Sequence, residues 1–201
     1  MSDADFEILD RQTVFQGYFR VDRYRLRHRR FDGGWSPALQ REVFERGQAI
    51  AALLYDPALD VVVLIEQFRV GPISTGKPAW LLEVVAGIIE QGETVAEVVE
   101  REVVEEAGCA VLAMEKICDY LPSPGACSET VELFCCRVDA SQAGGIHGLA
   151  EEHEDIKVVV LSVAEAIERL DANLVNNSAT IIALQWLARD HQNLRRRWLA
   201  L

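Results

Sequence analysis

Between Gly87 and Cys109 the chain reads GIIEQGETVAEVVEREVVEEAGC, and no other stretch restricts the fold as much. Thr94 offers a side-chain oxygen for a helix N-terminus and Gly108 a natural helix stop, so the sequence predicts a helix over 94–107. On that helix Glu102 and Glu106 stand one turn apart on one face, with Glu105 beside them. Like charges at this spacing cost a few tenths of a kcal/mol per pair unless something neutralises them. A hard divalent cation held by oxygen ligands does so, and the helix reads as a metal platform.

The segments around it predict strands. AWLLEVVAG is short and apolar, suited to a buried strand that delivers the chain to Gly87. FQGYFRVDRYRLRHRRF alternates apolar and polar residues, with Phe19, Val21, Tyr24, Leu26 and Phe31 as expected buried points, and DGG at 32–34 predicts a turn. REVFERGQAIAALLYD leads into a second β region, Asp56-Pro57 breaks it, and VVVLIEQFRV forms another strand. GPISTGKP and LPSPGACSE are loops by composition, VLAMEKICDYL predicts a strand or edge segment, and TVELFCCRVD a central strand. From Asp139 to Asp155 the chain turns small and polar, which predicts a mobile loop of the kind that is more often functional than idle. IKVVVLSV is a strand, Ser162 with Glu165 forms a capping box for a helix to about Leu170, and an amphipathic helix spans about 178–190. Strands on both sides of a carboxylate-bearing helix, with further helices near the end, define an α+β layered fold, a mixed β-sheet between helices. A small antiparallel N-terminal β unit, residues 1–46, precedes the main domain, 47–201.

Charge and composition narrow the function. At 201 residues, 50% hydrophobic and 26% charged, the chain can bury a sizeable core. A net charge of −12 argues against nucleic acid or an anionic membrane as partner, and Arg195, Arg196 and Arg197 are expected to be a solvated helix end. No apolar run approaches the roughly 20 residues of a membrane span, and the first residues lack an export signal, so the expected location is cytoplasmic. Cys109, Cys118, Cys127, Cys135 and Cys136 are an odd set without CxxC spacing, expected as reduced thiols.

Gly87, five residues, Glu93, seven residues, then Arg101, Glu102, Val103, one residue, Glu105, Glu106, one residue, Gly108 and apolar Cys109 resembles the full signature of the Nudix hydrolases. No fixed position departs from it, and a chance match is on the order of 10⁻⁸ per starting position. The resemblance implies an α/β/α sandwich and metal-dependent hydrolysis of a phosphoanhydride. It implies Glu102 and Glu106 as first metal ligands, Glu105 close behind and the Ala86 carbonyl completing one shell. The metal would be Mg²⁺, as two or three ions, with Mn²⁺ able to substitute. Glu93 and Arg101 become a brace between loop and helix, with Gly87 allowing the turn; residue spacing alone also permits an exposed Arg101–Glu105 pair worth about 0.3–0.5 kcal/mol.

A second run, GIHGLAEEHEDI, resembles the loop of the bacterial ADP-ribose pyrophosphatases within that family. Mapped here, Glu154 is an added ligand and Glu152 the general base. Pro124, 15 residues beyond Cys109, and the segment NSATIIALQWL match the same subgroup. The implied reaction is hydrolysis of ADP-ribose to AMP and ribose 5-phosphate. Arg69 is either a clamp on the diphosphate or one half of a strand-end salt bridge. Tyr18 or Phe19 could stack on adenine, with Arg41, Glu42 or Arg46 as polar partners, and simple packing is the other role for Tyr18. In the relatives this unit crosses to a partner subunit, which implies a homodimer. The competing expectations are a Nudix hydrolase of another nucleotide sugar, such as GDP-mannose, and a non-catalytic Nudix ligand sensor.

Overall fold

The computed structural model describes residues 5–200; the side chain of Glu152 lies outside that description. The chain divides into two compact units, one taking the chain up to Gln48 with Leu121–Thr130, the other Ala49–Tyr120 with the chain from Val131 onward.

The first unit carries a three-stranded antiparallel sheet of β1 (Phe6–Gln16), β2 (Arg20–His28) and β3 (Leu39–Glu45). Pairing aligns Tyr24 with Arg11 on one side and Arg41 on the other. The turn before β3 contains Gly33 and Gly34, both at positive φ, where a side chain would be strained. β1 goes beyond the sequence reading, which begins its strands at Phe15. The expected buried points are only partly so: Val21, Tyr24 and Leu26 are half-buried, whereas Phe19 and Phe31 are exposed. The reason is architectural. Phe19 and Phe31 lie in the turns on either side of β2 and not in its strand, and the neighbouring β1 is exposed along its whole length. The residue buried in β2 is instead a charged one, Asp22, 2% exposed. It accepts from Arg11 Nε at 2.9 Å and Thr13 Oγ1 at 2.8 Å, which satisfies a carboxylate that could not otherwise be buried. The 121–130 segment joins this unit through backbone bonds, Phe44 N–H to the Ala126 carbonyl at 2.7 Å and Ser128 N–H to the Phe44 carbonyl at 3.0 Å.

The second unit is built on an eight-stranded sheet. Its strands are β4 (Gln48–Asp56), β5 (Val61–Phe68), β6 (Trp80–Glu83), β7 (Val85–Ile88), β8 (Ala113–Tyr120), β9 (Thr130–Arg137), β10 (Ile146–His147) and β11 (Ile156–Ser162). The order is β10-β11-β5-β4-β9-β8, with β6 on β5 and β7 on β4. β4 and β5 pair only over Leu54–Asp56 and Val61–Val63, then diverge. Into the opening go β6, paired with β5, and β7, paired with β4, so the expected single strand at 79–87 is two short ones that change partner at Val84. Thr180 Oγ1 accepts the Val84 N–H at 2.9 Å, and Asn177 Nδ2 donates to the Leu82 carbonyl at 2.8 Å, which pins the switch. Thr130 N–H donates to Gly47 and Val138 N–H to Tyr55, so β9 runs parallel to β4 and the sheet is mixed.

Helices cover both faces. Ile50, Ala52 and Leu54 of β4 point into a core shared with α1 (Val95–Ala107), through Val98, Val99, Val103 and Ala107. Ala51, Leu53 and Tyr55 point into the other core, with Ala166 of α2 (Val163–Asp171) and Ala183, Leu184, Leu187, Leu194 and Trp198 of α3 (Ser178–Leu199). This is the expected α/β/α arrangement.

α3 runs nine residues past its expected end at Asp190, and the arginine run is not simply solvated. Arg195 donates to the Pro57 carbonyl at 2.9 Å and to Asp60 Oδ2 at 2.9 Å, and Arg197 to Glu115 Oε2 at 2.8 Å. Asp60, at φ 59°, also accepts from Tyr55 Oη at 2.8 Å and lies 2.6 Å from His191 Nε2. The expected loop at 71–78 contains a short 3-10 turn, Gly71–Thr75. The 139–155 segment likewise has structure of its own: β10 pairs with β11, and a 3-10 turn covers Ala150–Glu152. Among the described residues no helix is long and apolar enough to cross a membrane.

Candidate functional site

α1 begins and ends where its residues dictate. Thr94 Oγ1 accepts the Glu97 N–H while Glu97 reaches back to the Thr94 N–H at 2.8 Å, a reciprocal cap. Gly108 closes the helix in the left-handed conformation, φ 62°. Between these ends the helix turns Val98, Val99 and Val103 into the core, and Glu106 goes with them at 4% exposure. The Ala86 N–H donates to Glu106 Oε2 at 3.1 Å, tying the carboxylate to β7. Gly87, next on β7, lies directly under Glu102: a methyl group there would fall within the space of the Glu102 carboxyl. Gly87 is thus required for close approach, and this reason comes in addition to any turn.

Arg101 gathers the acidic groups. Its Nε is 3.2 Å from Glu93 Oε1, and its Nη1 reaches Glu102 Oε1 at 2.8 Å and Glu105 Oε2 at 3.2 Å. Glu93 also accepts the Glu90 N–H at 2.9 Å; this bond, then Arg101, holds its carboxyl below the usual range. The part-buried i,i+4 pair Arg101–Glu105 and the Arg101–Glu93 contact are therefore one network. Glu154 lies in the segment after β10, where its Oε2 accepts the Leu149 N–H at 3.1 Å.

Burial pushes the Glu106 carboxyl up to about 8; the Ala86 N–H opposes, Glu102 and Glu154 add, and Arg69 opposes. Burial likewise pushes Glu102 up to about 7, against Arg101 and with Glu105 and Glu154. Two buried or half-buried carboxyls, Glu106 and Glu102, are thus raised by burial, with Glu154 adding to both, Glu102 to Glu106 and Glu105 to Glu102. Arg69, on the same face, donates through Nε to Glu83 Oε2 at 2.8 Å, so the salt-bridge alternative for this residue is present in the structure.

Among the described residues no three His, Cys, Asp or Glu side chains converge closely enough to hold a metal ion. Each carboxylate already has a partner: Glu102 and Glu105 share Arg101, Glu106 has the Ala86 N–H and Glu154 the Leu149 N–H. The donor set nevertheless suits a hard cation. It is all oxygen and mutually repulsive, and Mg²⁺ needs only one or two carboxylates beside substrate phosphate and water. The sequence reading missed Gln67, 5% exposed on β5, whose Nε2 has no hydrogen-bond partner among the described residues. Strand alternation puts it on the α1 face with Val63 and Ile65, a buried donor left open. A polar residue at core parity was the available signal.

The expected adenine contacts fall in the first unit. Tyr18 is 92% exposed and meets Phe19 edge to face at 4.8 Å. Arg46 lies over the Phe19 ring at 5.1 Å and pairs with Glu129 at 3.2 Å, while Glu42 pairs with Arg23 at 2.9 Å. Arg41 donates to the Gln40 carbonyl, and Pro124 is exposed in the 121–130 segment. The catalytic assignment of Glu152 concerns a side chain outside the described residues.

The helix with its carboxylates, set over a glycine strand on an α/β/α sheet, defines a class. The NUDIX domain family model matches residues 45–185, and the chain belongs to that family. Two relatives are ADP-ribose pyrophosphatases. That of Escherichia coli (strain K12) is 47% identical over 194 residues, covering 96% of this chain and 93% of the relative. That of Haemophilus influenzae is 41% identical, covering 98% and 92%. The GDP-mannose pyrophosphatase of Cronobacter sakazakii is 35% identical over 74% of this chain and 77% of its own length. A solved structure described as an ADP compounds hydrolase shares the fold at a TM-score of 0.66 and 20% identity, covering 94% of this chain and 98% of that one.

Proposed function

We propose that this chain hydrolyses the diphosphate of ADP-ribose to AMP and ribose 5-phosphate. One observation carries the reading: α1 bears Glu102 over Gly87 and the buried Glu106 one turn on, in a chain 47% identical, along 96% of its length, to an ADP-ribose pyrophosphatase. Glu102, Glu105, Glu106, Glu154 and the Ala86 carbonyl would hold Mg²⁺, in two or three ions and replaceable by Mn²⁺. Bound there, the metal supplies charge neutralisation and polarisation of the diphosphate. The chain's own residues do the rest. Arg101 keeps Glu102 and Glu105 oriented, Arg69 exchanges Glu83 for a diphosphate oxygen, and Glu152 takes the proton of the attacking water. Tyr18, Arg41, Glu42 and Arg46 are assigned to the adenine of a partner subunit's substrate in a homodimer, with Pro124 at the substrate's edge. Five free cysteines favour a reducing, cytoplasmic location.

A substrate panel tests this. ADP-ribose should give the highest kcat/KM with Mg²⁺, and reaction in ¹⁸O-labelled water should place the label in one product and so identify the phosphorus attacked. A preference for GDP-mannose would overturn the substrate; undiminished turnover by Glu106→Gln would overturn the metal assignment. A fully active monomer in light scattering would remove the homodimer.

A further inference from the structure

The run GIHGLAEEHED does not behave as an untethered acidic loop. We propose that His147 is a positioning residue that keys this loop onto the C-terminal end of α1 and so sets Glu154 against Glu102 and Glu106. The inference rests on Glu154 serving as a metal ligand, as read above.

Three contacts carry it. First, the His147 ring lies on the bare Cα of Gly108: a Cβ at that position would come within 2.5 Å of Cε1. The residue that ends the helix is thus also the seat for the imidazole. Second, His147 Nε2 is 2.9 Å from the Gly144 carbonyl, and an imidazole nitrogen facing a carbonyl must carry the proton, so this nitrogen donates. That bond ties the ring to the start of its own loop. Third, the last turn of a helix leaves carbonyls without intrahelical donors. The Glu105 carbonyl is taken by the Gly148 N–H at 3.2 Å, one residue after His147.

Glu154 is reached through Gly148. At φ 99° and with the Glu154 Cβ only 2.7 Å from where its own Cβ would be, Gly148 packs directly against the acidic residue. The Leu149 N–H then holds Glu154 Oε2 at 3.1 Å, and the Glu154 N–H returns to the Leu149 carbonyl at 3.2 Å. The path from helix end to carboxylate is therefore Gly108, His147, Gly148, Glu154, with each step a close contact. The loop's glycines, Gly144, Gly145 and Gly148, all take positive φ around it. Outer partners that orient metal-binding groups commonly matter about as much as the ligands they orient.

The experiment is a double-mutant cycle on the full-length protein, with His147→Ala, His147→Gln, Glu154→Gln and the double variant His147→Ala/Glu154→Gln. Mn²⁺ binding without substrate is followed by electron paramagnetic resonance, kcat and KM by product analysis, and folding by thermal melting. His147→Ala should weaken Mn²⁺ binding and lower kcat by about tenfold each, with KM for the nucleotide substrate within about twofold. In the Glu154→Gln background the same change should add nothing further, because the path ends at the missing carboxylate. His147→Gln keeps a donor for the Gly144 carbonyl and should recover part of the loss. It also serves as the folded variant should His147→Ala melt out. An undiminished loss in the Glu154→Gln background overturns the proposal, as does unchanged Mn²⁺ binding in His147→Ala or in Glu154→Gln. Because the Mn²⁺ readout contains no substrate, a wrong choice of substrate fails the panel above and leaves this cycle intact.

Discussion

Glu106→Gln should make the protein more stable in the absence of divalent metal, and increasingly so as pH rises. Its carboxyl is pushed from an ordinary 4.5 to about 8, chiefly by burial. The folded chain therefore holds this proton more tightly than the unfolded chain does. Stability from this group is fully present below about pH 4.5 and is lost as pH rises toward 8. At about 1.4 kcal/mol for each tenfold difference in proton affinity, the complete cost is roughly 4–5 kcal/mol, of which roughly 3–4 kcal/mol accrues between pH 5 and pH 8. Glutamine has nearly the same shape, can accept the Ala86 N–H through its amide oxygen, and does not ionise. Urea unfolding in EDTA at several pH values measures the effect: the variant should overtake wild type and diverge from it steadily from pH 5 upward. Adding Mg²⁺ at pH 8 should then raise the stability of wild type and leave the variant nearly unmoved, since a ligand stabilises only the state that binds it. Parallel stability curves for the two proteins in EDTA would refute the argument that burial of this carboxylate is costly.

Three other outcomes follow from particular contacts. Gly87→Ala must displace the Glu102 carboxyl, so turnover should fall by at least about tenfold while folding costs only about 1–3 kcal/mol, seen by comparing kcat with urea melts. Asp60→Ala strands Tyr55, His191 and Arg195 together; a loss of about 2–4 kcal/mol is expected, with protease cleavage shifting to the end of α3. Ser162→Ala removes the cap of α2, whose Oγ accepts the Glu165 N–H at 3.2 Å, and should cost about 1 kcal/mol with activity unchanged.

α1 was legible in the sequence because its limits are local chemistry. Thr94 and Gly108 act on their own neighbours, and the Ser162 and Glu165 cap of α2 is read the same way. What escaped depends on residues far apart in sequence. The end of α3 looked like a solvated basic run, yet Arg195 is fixed by Pro57 and Asp60, more than a hundred positions earlier. Phe19 and Phe31 fit an alternating pattern, but alternation does not say where a strand stops, and both fall in the turns on either side of β2. At the candidate site the carboxylates and Arg101 could be named from spacing. The seat of His147 on Gly108 could not, since a histidine against a glycine has no signature along the chain, and Gln67 was marked only by its core parity on β5.

β4 carries a further consequence, for the growing chain. It feeds both cores, and its partners β5, β7 and β9 come from three later parts of the sequence, the last ending at Arg137. During synthesis the segment IAALLYD leaves the ribosome as an apolar ribbon with open edges. It can be closed on one side only after β7, and on the other only after β9, about fifty residues later still. Fragments that stop before Arg137 should therefore aggregate even though they contain the whole carboxylate helix, because that helix has no finished surface on which to rest.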